Sequence, residues 1–168
     1  MTQQIESPAG TGTIVVEPMS GPADARAFKD LNEAWIVELF ALEPADSVKL
    51  DNPEREIVGK GGQVLIARDG DEIVGCVALV PEGDGVFELS KMAVARQRRG
   101  RGLGRIILRA AIDYARRGGA TTLFLGSNAK LADAVHLYES VGFVHVPSDR
   151  IGPMPYERAD VFMRYDLV

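Results

Sequence analysis

The first apolar run is short and β-branched, from Thr13 to Glu17, and predicts a strand. Gly21-Pro22 then opens a helix, with Pro22 suited to its first turn. Phe28, Leu31, Trp35, Leu39 and Leu42 recur at three- and four-residue spacing, which predicts one apolar helical stripe. Pro44 and Pro53 punctuate the next stretch, and residues 45–60 read as a short helix plus a loop. Three runs come after it: Gln63 to Arg68, Ile73 to Val80 and Val86 to Val94. The turn signals Asp69-Gly70-Asp71 and Pro81 to Gly85 separate them, predicting an antiparallel meander. Beyond it the period changes from two to 3.6. Leu103, Ile106, Ile107, Ala110, Ala111 and Tyr114 line one face of a helix that ends near Gly118-Gly119. A strand spans Thr121 to Leu125. A helix over Ala129 to Val141 then carries Leu131, Val135 and Tyr138 on one face and stops at Gly142. Strands over Phe143 to Val146 and Val161 to Leu167 complete an α+β, or mixed α/β, domain around a central sheet.

Composition adds bounds to this picture. A chain of 168 residues suits one domain, and a 46% hydrophobic fraction is enough to build a core. Residues 1–12 are polar, carry Pro8, Gly10 and Gly12, and read as a flexible lead-in to a single domain over 13–168. Cys76 is the only cysteine, so no intrachain disulfide forms. No apolar run approaches the ~20 residues of a membrane helix. The expected location is therefore the cytoplasm, with no membrane partner. A formal net charge of −5 argues against nucleic acid as a partner of the whole chain. Two histidines and one cysteine do not suggest a metal site.

Candidate chemistry begins at the change of period. The segment Gln97-Arg98-Arg99-Gly100-Arg101-Gly102-Leu103-Gly104 lies between a strand and a helix. Its glycines allow a sharp turn and close approach of an anion to the backbone. The first turn of the helix leaves amide N–H groups unpaired, and its dipole favours negative charge. Arg96, Arg98, Arg99, Arg101, Arg105 and Arg109 add positive potential to an acidic chain. A phosphate-bearing ligand is the natural reading; a solvated arginine face or a local nucleic-acid patch is the bland one. A mononucleotide P-loop would need Gly-Lys-Ser/Thr, which is absent. A dinucleotide fingerprint would need a glycine where Arg105 stands, and would begin a parallel βαβ unit instead of following a meander.

Gln97-x-x-Gly100-x-Gly102 is similar to the Gln/Arg-x-x-Gly-x-Gly/Ala signature of the GNAT superfamily of acyl-CoA-dependent N-acyltransferases. Glu88 to Arg105 resembles that family's fourth strand and following helix. Ala134-Val-His-Leu-Tyr138-Glu-Ser-Val-Gly142-Phe143 resembles its second cofactor motif. The resemblance implies a mostly antiparallel central sheet of about seven strands flanked by helices, with acetyl-CoA as co-substrate. It implies that the backbone of Arg98, Arg99, Gly100, Arg101, Gly102, Leu103 and Gly104 holds the pyrophosphate. It further implies that Met92, Ala93 and Val94 pair with the pantetheine arm as an added strand would. Asn128 corresponds to a position of polar cofactor contact.

The reaction so implied is direct transfer of an acetyl group to a primary amine of a small molecule. Amino acids and other carboxylate-bearing amines are among the candidates. Tyr138 matches the family tyrosine near the cofactor sulfur, and a phenol is protonated at neutral pH and able to donate to a thiolate. Its place on an apolar helix face also suits a plain core residue. Glu88 is the candidate base. In strict alternation it shares a face with Val86, Met92 and Val94, where burial would raise its pKa. A bulge would flip that register, and pairing with an arginine is the alternative role. His136 and His145 are weaker candidates. The acceptor site is expected from the first helix and last hairpin: Asn32, Trp35 and Phe40, with Tyr156 and Arg158, the latter offering a fork to a carboxylate. Rival readings are an acyl-CoA-binding sensor without turnover and a protein or peptide N-acetyltransferase. Oligomeric state stays open, a homodimer included.

Overall fold

A computed structural model describes residues 3–6, 13–147 and 158–168. The strands are β1 (Gln3–Glu6), β2 (Thr13–Pro18), β3 (Gln63–Asp69), β4 (Glu72–Gly83), β5 (Val86–Val94), β6 (Thr122–Ser127), β7 (Val144–His145) and β8 (Val161–Asp166). The helices are α1 (Gly21–Leu39), α2 (Pro44–Asp51), α3 (Pro53–Glu56), α4 (Leu103–Arg117) and α5 (Ala132–Val141). The strands form one sheet in the order β1-β2-β3-β4-β5-β6-β8-β7. Neighbours are antiparallel except β5 and β6, which are parallel and joined through α4. Part of the segment read as a lead-in, Gln3–Glu6, pairs with β2 and adds an eighth strand to the expected seven. No helix is long and apolar enough to cross a membrane among the described residues.

The sheet is buried on both faces. Val64 and Ile66 of β3 and Cys76 and Ala78 of β4 pack with Phe28 and Ile36 of α1 and Leu50 of α2. Leu65, Ala67, Val77 and Leu79 point the other way, against Ile107, Leu108 and Ala111 of α4. Two-sided burial explains why β3 and β4 read as nearly continuous apolar runs.

Helix α1 corrects the expected stripe. Its buried positions are Asp24, Phe28, Asn32 and Ile36, one step round from Leu31, Trp35 and Leu39. Leu39 is 44% and Leu42 38% exposed. Two satisfied polar residues stand at core positions and displace the hydrophobic signal. Asp24 accepts from the Ser20 amide at 2.8 Å and from Arg68 at 2.6 Å. Asn32 donates to the Phe28 carbonyl at 3.0 Å and contacts Cys76 Sγ at 3.4 Å.

Strand β5 carries a bulge. Ala78 stands opposite Ser90 and Cys76 opposite Ala93, so three steps on β5 match two on β4. The extra residue is absorbed at Lys91, whose φ is +56°. The bulge changes the face of everything after it. Glu88 therefore does not share a face with Met92 and Val94, as strict alternation predicts. Those two pack toward α4, as Leu89 does, whereas Ala93 packs with the α1 side.

Helix α4 sits very close to the sheet. A Cβ added at Gly75 of β4 would lie 2.4 Å from Ile107 Cδ1 and 2.9 Å from the Ala93 carbonyl oxygen. Both neighbours are well packed, so neither gives way cheaply. Gly75→Ala is expected to lower unfolding free energy by about 1–3 kcal/mol, read as a lower denaturant midpoint at unchanged slope.

Candidate active site

Parallel pairing of β5 with β6 lasts only from Val86–Glu88 opposite Thr122–Phe124. Beyond Glu88 the two strands part, and Leu89 to Val94 have no strand partner on that side among the described residues. The opening between them is a cavity of about 720 Å³, in the range typical of small-molecule sites. One wall is β5 from Glu88 to Val94, and the other is the end of β6 with Ser127 and Asn128. The start of α4 and Tyr138 of α5 also line it.

The glycine-rich turn closes one end. Arg96–Arg98 form a single 3-10 turn, in which the Arg98 amide donates to Ala95 at 2.8 Å and the Arg99 amide to Arg96 at 3.3 Å. Those two amides are therefore committed within the chain, and the anion nest is narrower than the sequence suggests. Gly100 and Gly102 take φ of +78° and +81°, a region that side chains resist. The first helical bond of α4 runs from the Ile106 amide to the Gly102 carbonyl at 3.3 Å. The amides of Gly102, Leu103 and Gly104 at the helix start thus have no acceptor among the described residues, which suits them to a pyrophosphate. Gly104 has a second reason to lack a side chain: a Cβ there would meet Leu137 at 3.1 Å.

The arginines do less than expected toward a ligand. Arg98 pairs with Asp69 at 2.7 Å and Glu72 at 2.9 Å, stapling the turn to the β3–β4 hairpin. Arg96 pairs with Glu38, and Arg105 donates to Ser140 at 2.9 Å. Arg99 donates to the Val94 carbonyl at 3.3 Å, and Arg101 is exposed.

Glu88 and Tyr138 border the same cavity from different elements. Glu88 is 5% exposed, and burial pushes its pKa above the usual glutamate value, partly countered by Lys49, whose Nζ lies 3.8 Å from Oε1. Burial pushes the Tyr138 phenol up to about 12, and its hydroxyl has no hydrogen-bond partner among the described residues. Its ring packs at 5.8 Å on Phe143, so part of its burial is structural.

An ionic cluster unforeseen from the sequence stands beside Glu88. Asp46 of α2, fully buried, accepts from Lys91 at 2.6 Å and from both arms of Arg158 at 2.8 and 2.5 Å. Arg158 also donates to Glu43 at 3.1 Å. Burial alone would raise the Asp46 carboxyl, but Arg158 and Lys91 together hold it down at about 2. Burial pushes the Lys91 ammonium down to about 8 against the pull of Asp46. The one hint in the sequence is a lysine inside an apolar strand. Nothing in the loosely patterned segment 45–60 points to its partner.

The expected acceptor residues separate. Trp35 lines the cavity, with the Arg158 guanidinium 5.8 Å from its ring centre. Asn32 does not reach the cavity: it is fully buried, and its carbonyl oxygen accepts from Trp35 Nε1 at 3.0 Å. Arg158 lines the cavity, but Asp46 fills the bidentate fork expected for an acceptor carboxylate. Asn128 uses both ends of its amide internally, donating to the Arg158 carbonyl at 2.5 Å and accepting from the Lys130 amide at 2.8 Å. It thereby fixes the loop after β6 against the start of the last hairpin arm. Tyr156 lies outside the described residues. His136 is exposed, and His145 pairs with Glu139 at 2.8 Å; neither borders the cavity. Cys76 is buried, with its thiol pushed up to about 12, so it is no nucleophile.

A parted parallel strand pair, with a free strand edge on one side and an open helix N-terminus at its end, is the architecture of an acyl-CoA-dependent acyltransferase. Residues 26–143 match the family model for the acetyltransferase (GNAT) family, and the chain belongs to that family. An uncharacterized N-acetyltransferase of Schizosaccharomyces pombe is 30% identical over 92% of this chain and 95% of its own length. An acetyltransferase from Streptococcus agalactiae has the same fold, with a TM-score of 0.79, 21% identity, and coverage of 91% of this chain and 98% of its own. A Salmonella typhimurium protein solved with its cofactor acetyl-CoA superposes with a TM-score of 0.69 at 23% identity, over 92% and 94% of the two chains.

Replacing Gly102 by valine forces a β-branched residue into left-handed backbone at the helix start. Affinity for coenzyme A is expected to fall about tenfold, corresponding to roughly 1.4 kcal/mol. Calorimetric titration with coenzyme A alone measures it.

Proposed function

We propose that this acyltransferase moves an acetyl group from acetyl-CoA directly to a primary amine of a small molecule, with Glu88 as base and Tyr138 as acid. The observation that carries the reading is the sharing of one cavity by a buried carboxylate, a phenol without a hydrogen-bond partner among the described residues, and the open helix N-terminus. The thioester supplies an activated acyl carbon. The free edge of β5 offers N–H and C=O groups to align the pantetheine arm, and the amides of Gly102, Leu103 and Gly104 anchor the pyrophosphate.

Glu88 accepts a proton from the incoming ammonium, directly or through one water, so that nitrogen presents its lone pair. Burial makes the carboxylate a better base than an exposed glutamate. Tyr138 keeps its proton across the working pH range and donates it to the departing sulfur. Trp35 gives the acceptor an apolar wall. With Arg158 held by Asp46, its guanidinium shapes this end of the cavity and is not offered as a carboxylate clamp. Acceptors are therefore selected mainly by shape and by the amine.

Glu88→Gln is expected to lower kcat/KM for the amine about 10²–10³-fold with little change in the KM for acetyl-CoA. In the wild type, activity rises with pH through the elevated Glu88 pKa, because the base works only when ionised. The Gln variant loses this acid limb. Tyr138→Phe is expected to cost about 10–100-fold in kcat with a near-native melting temperature. Tyr138 itself gives the wild type no alkaline limb below about pH 11, since its phenol titrates near 12. A thiol-release assay against a panel of primary amines, run from pH 5 to 10, reads all three. An unchanged profile in Glu88→Gln would refute the base assignment.

A further inference from the structure

Helix α2 presents two charges to β5, and β5 answers with two of opposite sign. Asp46 meets Lys91 at 2.6 Å, and Lys49 meets Glu88 at 3.8 Å. Asp46 and Lys49 are three apart on a helix, so they share a face. Glu88 and Lys91 are also three apart, and only the bulge at Lys91 brings both toward α2. The Asp46 pair is buried on both sides, with side chains 0% and 3% exposed, and Arg158 closes it from the last hairpin. That contact fixes where α2 lies, and so where Lys49 lies.

We propose that Lys49 is a positioning residue for Glu88: delivered by α2 and held in register by the Asp46–Lys91 pair, its ammonium orients the Glu88 carboxylate and controls its protonation state. The inference rests on Glu88 being the base of the reaction. Among the described residues, three charged groups act on Glu88: Lys49 from α2, Lys91 from its own strand and Glu82 from β4. Glu82 disfavours the charged form of Glu88. Lys91 favours it, but its ammonium lies against Asp46. Lys49 is the cation placed at ion-pair distance, and its side chain is only 17% exposed, so solvent screens it little. Its loss leaves the carboxylate facing burial and Glu82 with, among the described residues, only Lys91 in support. The proton is then held more tightly, and the base is available only at higher pH.

The test is a titration that needs no acceptor. In protein labelled with ¹³C at glutamate side chains, the carboxyl resonance missing from Glu88→Gln identifies Glu88. Its midpoint in the wild type is expected above the ordinary glutamate value, because of burial. Lys49→Met is expected to raise it by about one unit, and Lys49→Arg to keep it near the wild-type value. A Lys49→Met midpoint at or below wild type overturns the proposal. Lys49→Gln makes the same comparison if the methionine variant does not fold. If neither folds, Lys49 is a structural residue and the proposal falls. Where the Glu88 midpoint moves but the acid limb of the amine pH–rate profile does not, the role of Lys49 stands and the assignment of Glu88 as base fails.

Discussion

The separation of β5 from β6 after Glu88 is the constraint on which the rest of the molecule depends. A parallel pair normally continues until one strand ends, because every unpaired backbone group buried without a partner is costly. Here β5 runs on for six residues with one edge unpaired among the described residues. Such an edge is tolerable only where solvent or a ligand meets it, so the cavity and the broken ladder are one feature seen from two sides. The bulge at Lys91 belongs to the same arrangement. By adding one residue to β5 opposite β4, it turns Glu88 and Lys91 toward α2 while Met92 and Val94 pack on the α4 side.

Elements on the two faces of the sheet brace this region. On one side, α4 lies so near the sheet that Gly75 has no room for a methyl group. On the other, Asp46 gathers Lys91 of β5 and Arg158 of the last hairpin arm into a buried cluster. Replacing such a cluster with apolar residues often costs little, whereas removing one member leaves an uncompensated charge. Its value here is geometric: it fixes α2, the bulge and the residue after the last loop relative to one another. Asn128 ties the end of β6 to the same Arg158 through the backbone.

Much of this is legible in the sequence. The meander, the change from two-residue to helical period at Leu103, and the glycine turn between them map directly onto β3–β5 and α4, because local chemistry determines those features. The hidden part is set by long-range contacts. Asp24 and Asn32 sit at core positions of α1, and only the distant Arg68 and Cys76 make that acceptable, so the apolar stripe reads one step out of phase. The bulge that decides the face of Glu88 has no glycine to announce it; Lys91 itself takes the positive φ. The glycine pattern locates the nest but makes it too wide, since the 3-10 turn that takes up the amides of Arg98 and Arg99 leaves no mark in composition. Arg158 does reach the cavity, yet its partner lies more than a hundred residues away in a segment with little periodicity.

The solitary cysteine has a practical consequence. Cys76 lies beneath α1 with its sulfur beside Asn32, and its thiol resists ionisation far above neutral pH. Disulfide reagents react with thiolates that they can reach. In the folded protein this sulfur is neither ionised nor reachable, so a chromogenic thiol reagent added during turnover reports the liberated coenzyme alone. The same reagent becomes a probe of unfolding, since colour from the protein itself appears only when the α1 layer lifts from the sheet.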